Sequence, residues 1–182
     1  MDTTGTCMDE IKTQRRQKDH YFVKNPRSPL LAEEREDFDG LAYYQINPEY
    51  QFKTTFEEYD EPKSVTVGTS TNGEQEYLTL GEFTIEIVGR SLTITAYRSD
   101  SEEDRLWVRF RDATSGEETY GAGRYLDFEL DAHRTDDGRW VLDFNEAYNP
   151  TCAYSDRYEC PLPPIDNWLN VPIEAGKKHF RH

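Results

Sequence analysis

From about residue 50 onward, hydrophobic and polar residues alternate with a period of two, and short turn signals separate the alternating segments. Branched and aromatic residues fill the hydrophobic positions, a composition typical of antiparallel strands. The pattern predicts strands at about 50–59, 63–70, 74–80, 82–88, 91–98, 105–112, 119–130 and 139–144. Because the connections are short, we expect neighbouring strands to pair.

The turn signals indicate where the predicted sheet reverses. Asn72-Gly73 is the strongest, because a type I′ hairpin turn requires positive φ at both central positions. Gly89-Arg90 and Asp137-Gly138 mark two more reversals. An antiparallel meander of about eight strands can close into a small barrel and so remove its exposed edges. We therefore predict a mainly β fold that forms a barrel, with a two-sheet sandwich as the alternative that shares the same alternation.

The first 45 residues carry helix signals instead. Thr6 to Asp9 resembles a capping box, and a helix is expected from there to about Tyr21. Ser28-Pro29 is typical of the start of a second, shorter helix that ends near Gly40. A chain of 182 residues fits one domain. We expect a helical segment (1–45), a β meander (46–144) and a closing loop and tail (145–182).

The chain is strongly acidic, with 36 Asp and Glu against 21 Lys and Arg and a formal net charge of −15. This charge is spread along the chain and repels phosphate backbones and anionic lipid surfaces, which argues against nucleic-acid and membrane partners. The acidity and the preference for Arg over Lys indicate adaptation to molar salt, where screening makes the charge tolerable. No signal peptide or membrane-spanning run is visible, so a cytoplasmic protein is expected.

Three cysteines, Cys7, Cys152 and Cys160, are too few and too unevenly placed for a secreted disulfide framework. Cys152 is a candidate nucleophile, with His133 as base and Asp143 or Asn145 as the group that orients it. The alternative is a buried thiol or one paired with Cys160. No Cys-x-x-Cys motif is present, so we predict no metal site, and whether the protein binds a cofactor stays open from the sequence.

Arginine supplies the other candidate chemistry. By alternation, Trp107, Arg109 and Arg111 share one face of a strand, and we expect these arginines to be external and paired with acids. Arg124 is the better candidate for binding a carboxylate or phosphate, because Gly123 before it permits close approach. Its removal is expected to abolish binding and leave folding intact. Further candidate ligand contacts, each with a structural alternative, are Tyr120, Tyr125, Asn145, Tyr148, Asn149 and Tyr154.

Several of these residues lie in long motifs. The segments 110–116, 143–154 and 160–164, together with 18–22, resemble the family of uncharacterised proteins designated domain of unknown function 1684. The resemblance covers nearly the whole chain. Because that family has no assigned activity, the resemblance implies no catalytic or binding residue. One departure is Lys177, at a position where the family often has Glu.

The sequence favours a protein that binds a small anionic ligand in or beside the β structure. One alternative is a cysteine-dependent hydrolase or transferase that uses Cys152, and another is a scaffold without small-molecule chemistry. Whether the protein is an enzyme, and its oligomeric state, stay open from the sequence.

Overall fold

A computed structural model describes residues 3–99, 105–129 and 133–180. Two helices precede the strands: α1 (Thr3–Lys24) and α2 (Ala32–Glu36). The strands are β1 (Gln51–Thr54), β2 (Phe56–Gly68), β3 (Glu74–Ile87), β4 (Arg90–Arg98), β5 (Leu106–Phe110), β6 (Arg124–Phe128) and β7 (Trp140–Asp143).

The described strands form two antiparallel sheets. One has five strands in the order β2-β3-β4-β5-β6, so each strand pairs with its neighbour in the chain, as predicted. The other contains only β1 and β7, which pair from Gln51 opposite Asp143 to Thr54 opposite Trp140. The fold is therefore mainly β with few helices.

The predicted closure into a barrel is wrong, since the described strands do not form a closed sheet. β7 pairs with β1 and leaves the meander after β6, so the two-sheet alternative fits better. Strands that were predicted separately also merge. The segments 74–80 and 82–88 are one strand, β3, whose pairing with β4 shifts register between Thr79 and Gly81. Such a bulge interrupts the side-chain alternation and, in the sequence, resembles a strand boundary.

The turns lie close to their predicted positions. Asn72 has φ +64°, the left-handed conformation that its turn requires. The second reversal is centred on Val88 and Gly89, with φ of +51° and +72°, one residue earlier than predicted. A positive φ of +84° at Gly138 accompanies the third.

The main core lies between the five-stranded sheet and a layer made by β7 and the C-terminal tail. Alternate residues of β5 enter it as predicted, with Leu106, Val108 and Phe110 all buried. The facing layer contributes Leu142, Phe144, Val171, Ile173 and Ala175. The tail therefore supplies every second residue to the core over the span 171–175.

The helices cover a second, smaller apolar cluster. Phe22 of α1 packs edge-on against Tyr154, with ring centroids 4.8 Å apart, and Leu30 and Leu41 complete the cluster. The second helix begins after Leu31, later than predicted. No helix in the described ranges is long and apolar enough to cross a membrane.

Candidate functional site

A small cavity of about 170 Å³ lies where α1, the segment after β7 and the C-terminal tail meet. Three of its lining side chains are basic, although the chain as a whole is acidic. The lining residues are Ile11, Gln14, Arg15, Lys18, Tyr43, Asn145, Glu146, Ala147, Tyr148 and Lys177. We call this the basic cavity.

Lys177 is the most unusual residue of the basic cavity. It is only 1% exposed, and its Nζ has no hydrogen-bond partner among the described residues. The amine lies 4.3 Å from the centroid of the Tyr43 ring. Its backbone N–H donates to the carbonyl of Ala147 at 3.0 Å, which holds the tail in place. A buried amine without a hydrogen bond is costly to the fold, so its position calls for an explanation.

Arg15 joins two chain segments at the rim of the basic cavity. Its Nη1 donates to the carbonyl of Tyr44 at 3.0 Å, and its Nη2 donates to the carbonyl of Asn145 at 3.3 Å. The guanidinium also lies 4.2 Å from the Tyr43 ring centroid. These contacts fix its position and leave Nε without a partner among the described residues.

Lys18 lies one helical turn beyond Arg15, and its ammonium is 4.5 Å from the centroid of the Tyr148 ring. That ring is held in turn, since the Tyr148 hydroxyl donates to Asp127 at 2.7 Å. Burial lowers the pKa of Lys18 to about 8, and the negative charge of Asp127 opposes this shift.

The electrostatics of Lys177 follow from its surroundings. Burial, together with the positive charges of Lys18 and Arg15, lowers the pKa of Lys177 to about 5, and the negative charge of Asp19 opposes this shift. The amine is therefore mostly neutral at pH 7. An anion entering the basic cavity would favour its protonated form.

The nearby acids are engaged elsewhere. The carboxylate of Asp19 accepts a hydrogen bond from the backbone N–H of Leu41 at 3.0 Å. Glu146 contacts His133, with 3.2 Å between Oε2 and Nε2. No ion pair of Arg15, Lys18 or Lys177 within 4.0 Å is found among the described residues.

Arg124, predicted as a ligand-binding residue, lies in the interior with 0% exposure. Its Nη2 donates to Asp112 at 2.7 Å and to the carbonyl of Ile173 at 2.8 Å. Its Nη1 donates to the carbonyls of Ala175 and Lys177. These acceptors all belong to the chain itself, so Arg124 fastens the tail that carries Lys177.

Arg109 in β5 and Arg111 directly after it are in contact with aromatic rings, whereas the sequence predicted pairing with acids. The guanidinium of Arg109 lies 3.9 Å from the ring centroids of both Trp107 and Tyr125. Arg111 lies 4.5 Å from the ring of Trp168. Among the residues that the structure describes, cation–π contacts take the place of the expected ion pairs at Arg109 and Arg111.

The residues of the predicted cysteine triad are not brought together. Cys152 contacts Cys160 and Tyr120, and it lines a different cavity from His133 and Asp143. Asp143 instead accepts a hydrogen bond from the backbone N–H of Asn145 at 2.9 Å.

The other predicted contacts serve mostly to position backbone. Asn145 exchanges two hydrogen bonds with Asn47, at 2.8 and 3.0 Å, and this fixes the entry to β1. Asn149 donates to the carbonyl of Lys178 at 3.1 Å, and the Tyr125 hydroxyl donates to the carbonyl of Pro161. Tyr148 and Asn145 also line the basic cavity, Tyr120 lines the cavity of Cys152, and Tyr154 is buried near it.

His133 and Glu146 form a pair whose titration is testable. Burial lowers the pKa of His133, but the hydrogen bond and charge of Glu146 outweigh this, and the net pKa is raised. The pair therefore stabilises the fold at low pH and loses this effect as the pH rises through the pKa of folded His133.

We expect Glu146→Gln to lower the pKa of His133 in an NMR titration. Glu117→Gln, on an exposed turn, is the control and should not change it; an unchanged pKa in Glu146→Gln would contradict the pairing.

Lys18 and Lys177 were not predicted as site residues, although the sequence contains a signal for each. Residues 171, 173 and 175 alternate into the core, and the same period continues to 177. Ile11, Arg15, Lys18 and Phe22 recur at helical spacing along α1. In each case a basic residue stands at a position that the periodicity directs toward the interior. This pattern in the sequence indicates Lys18 and Lys177.

The fold and the cavity define a mainly β protein with two antiparallel sheets, closed at one side by a helix and a C-terminal tail. The model of a family described as a protein of unknown function, DUF1684, matches residues 36–178. The chain belongs to this family, as the motifs indicated. The chain is also similar to an uncharacterised protein of Haloarcula marismortui solved by NMR in solution, with 38% identity, a TM-score of 0.77 and full coverage of both chains. No curated protein matches.

Proposed function

We propose that the protein binds a small anion, such as phosphate, sulfate or a short carboxylate, in the basic cavity. The observation that supports this most is the amine of Lys177, which is buried near Lys18 and Arg15 and has no hydrogen-bond partner within residues 3–99, 105–129 and 133–180. Proteins seldom bury a polar group without a hydrogen bond unless the position serves a purpose. An anion would supply the missing acceptor and the missing charge together.

The size of the basic cavity sets the ligand class. A volume of about 170 Å³ holds a few water molecules or one ion with four or five heavy atoms. The aromatic rings of Tyr43 and Tyr148 form part of the wall and keep the lysines in place. A large cofactor does not fit, so the ligand is a simple oxyanion or a carboxylate of two or three carbons.

Binding is expected to depend on pH because the amine of Lys177 must gain a proton when an anion enters. The groups that face it are Arg15, Lys18 and Asp19 on α1, and Tyr43, Glu146 and Tyr148 on the loops. With a pKa of about 5 in the free protein, Lys177 takes up close to one proton per anion at neutral pH. Affinity then falls by up to about tenfold for each unit of rising pH.

The test is isothermal titration calorimetry with sulfate, whose charge is constant from pH 6 to pH 8. We expect saturable binding to the wild type that is tighter at pH 6 than at pH 8. Lys177→Met should weaken binding by about tenfold or more, a loss of about 1.4 kcal/mol. The matched control is Lys178→Met, which makes the same substitution at the neighbouring residue outside the basic cavity.

Two outcomes would contradict anion binding in the basic cavity. Equal sulfate affinity in Lys177→Met and Lys178→Met would show that surface charge alone is responsible. No saturable sulfate or acetate binding to the wild type at pH 6 would favour the scaffold alternative and overturn the proposal.

A further inference from the structure

A second site lies on the closing loop, where the sulfurs of Cys152 and Cys160 meet. The backbone N–H of Cys152 donates to the Sγ of Cys160 at 3.3 Å, and the Cys152 thiol is hydrogen-bonded to the same sulfur. The hydroxyl of Thr151 lies 3.6 Å from it. Two thiols held in contact at the ends of a short loop have the proximity that disulfide formation requires.

Both cysteines are held by neighbouring backbone. Thr151 to Ala153 form a 3₁₀ turn that carries Cys152. The segment that carries Cys160 is tied to Ser70, since the N–H of Cys160 donates to the Ser70 hydroxyl at 3.1 Å and its carbonyl accepts from the Ser70 N–H at 3.0 Å. The sulfurs therefore approach each other from two anchored segments.

The surroundings give the two thiols different acidities. The hydrogen bond from Cys152 lowers the pKa of Cys160 to about 6 against the effect of burial, with help from Thr151, the Cys152 N–H and the positive charge of Arg109. The hydrogen bond to Cys160, together with burial, raises the pKa of Cys152. The hydrogen bond from Cys152 thus stabilises the thiolate of Cys160, so the pair can lose one proton and pass the other between the two sulfurs.

The pair is accessible from one side. Cys152 lines a cavity of about 680 Å³ together with Tyr120, Arg157 and His179, while Cys160 is buried behind it. The hydroxyl of Tyr120 donates to the Sγ of Cys152 at 3.6 Å, so the phenol points at the reactive atom. This cavity has room for a small molecule of many more atoms than the basic cavity accepts.

We propose that Cys152 and Cys160 form a dithiol site that exchanges with a low-molecular-weight disulfide entering this cavity. The proton of Cys152 passes to Cys160, and the thiolate of Cys152 attacks one sulfur of the small disulfide. A bond from Cys152 to that sulfur forms, the bond between the two small-molecule sulfurs breaks, and one small thiolate leaves. Cys160 then attacks Cys152 and gives its proton to the second small thiolate as it leaves. The two cysteines lose two electrons, and the small disulfide is reduced to one thiol and one thiolate.

The test uses 2-hydroxyethyl disulfide and the full chain with Cys7→Ser, which removes the third cysteine. We expect two equivalents of 2-mercaptoethanol per chain and a peptide mass that joins Cys152 to Cys160. In the folded chain the mixed disulfide should be resolved at least about tenfold faster than in the same chain unfolded in urea, because the two sulfurs are already held together. Adding Cys160→Ser should stop the reaction at a mixed disulfide on Cys152.

Two results would overturn this proposal. One is a mixed disulfide that persists on Cys152 in the chain with Cys160 intact. The other is a mixed disulfide that is resolved no faster in the folded than in the unfolded chain. Neither outcome concerns Lys177, so this proposal and the anion proposal fail independently.

Discussion

Replacing Arg124 with alanine is expected to destabilise the fold by about 3–5 kcal/mol, the cost typical of removing one partner from a buried ion pair. Both side chains of the pair with Asp112 are fully buried, with 2.7 Å between Nη2 and Oδ2. The substitution would leave that carboxylate without its cation and would release the carbonyls of Ile173 and Ala175. Urea denaturation at pH 7, followed by circular dichroism, measures the loss.

Arg139→Ala is the matched control. Arg139 pairs with Asp137 at 2.9 Å, but both side chains are about half exposed, so solvent screens the interaction and little stability should be lost. A denaturation midpoint for Arg124→Ala close to that of Arg139→Ala would contradict the structural role. From the sequence, removal of Arg124 was expected to leave folding intact. Its buried contacts lead to the opposite expectation, that the fold needs Arg124 for its stability.

Replacing Lys177 with methionine is expected to raise stability at pH 7 by about 5 kcal/mol, because folding must remove the proton of a buried amine that has no hydrogen-bond partner among the described residues. Its ordinary pKa of 10.5 falls to about 5 in the fold, so between these values the unfolded chain binds more protons. The free energy of unfolding therefore rises with pH across that range.

Lys177→Met should lose the contribution that Lys177 makes to the dependence of the unfolding free energy on pH. Urea denaturation from pH 5 to pH 9 should give a flatter pH dependence for Lys177→Met than for the wild type, and Lys178→Met should keep the wild-type slope. A Lys177→Met protein that is less stable than the wild type, or equally dependent on pH, would show that the amine makes a favourable contact in the free protein. We expect this variant to be more stable and to lose anion binding. This is the usual trade-off when a functional polar group is buried in a core and lowers the stability of the fold.

The local part of the fold was predictable because period-two alternation decides which face of a strand is buried. This is why Leu106, Val108 and Phe110 were assigned correctly to one face of β5. The same alternation does not specify the partner of a strand. The pairing of β7 with β1 joins residues about 90 positions apart, and no local signal encodes that contact. The barrel prediction was wrong for this reason.

The sequence predicted the kind of ligand that we now propose, but it placed the binding site at other residues. A basic group within an acidic chain was expected to receive an anion, and Arg124 was chosen because of the glycines before it. Gly123 does permit a close approach, with φ +102° and the backbone of Phe110 beside it, but the acceptors of Arg124 are carbonyls of the tail. Those carbonyls lie about 50 residues away, so local sequence could not show that the guanidinium is already satisfied.

The most direct test of the anion site is an NMR titration of the Lys177 side chain, with and without sulfate. Without sulfate, the pKa of the amine should lie near 5, well below that of an ordinary lysine. Saturating sulfate should raise this pKa by about three units or more, because the bound anion favours the ammonium form, while the pKa of Lys178 should stay the same. A Lys177 pKa that sulfate does not change would contradict anion binding in the basic cavity.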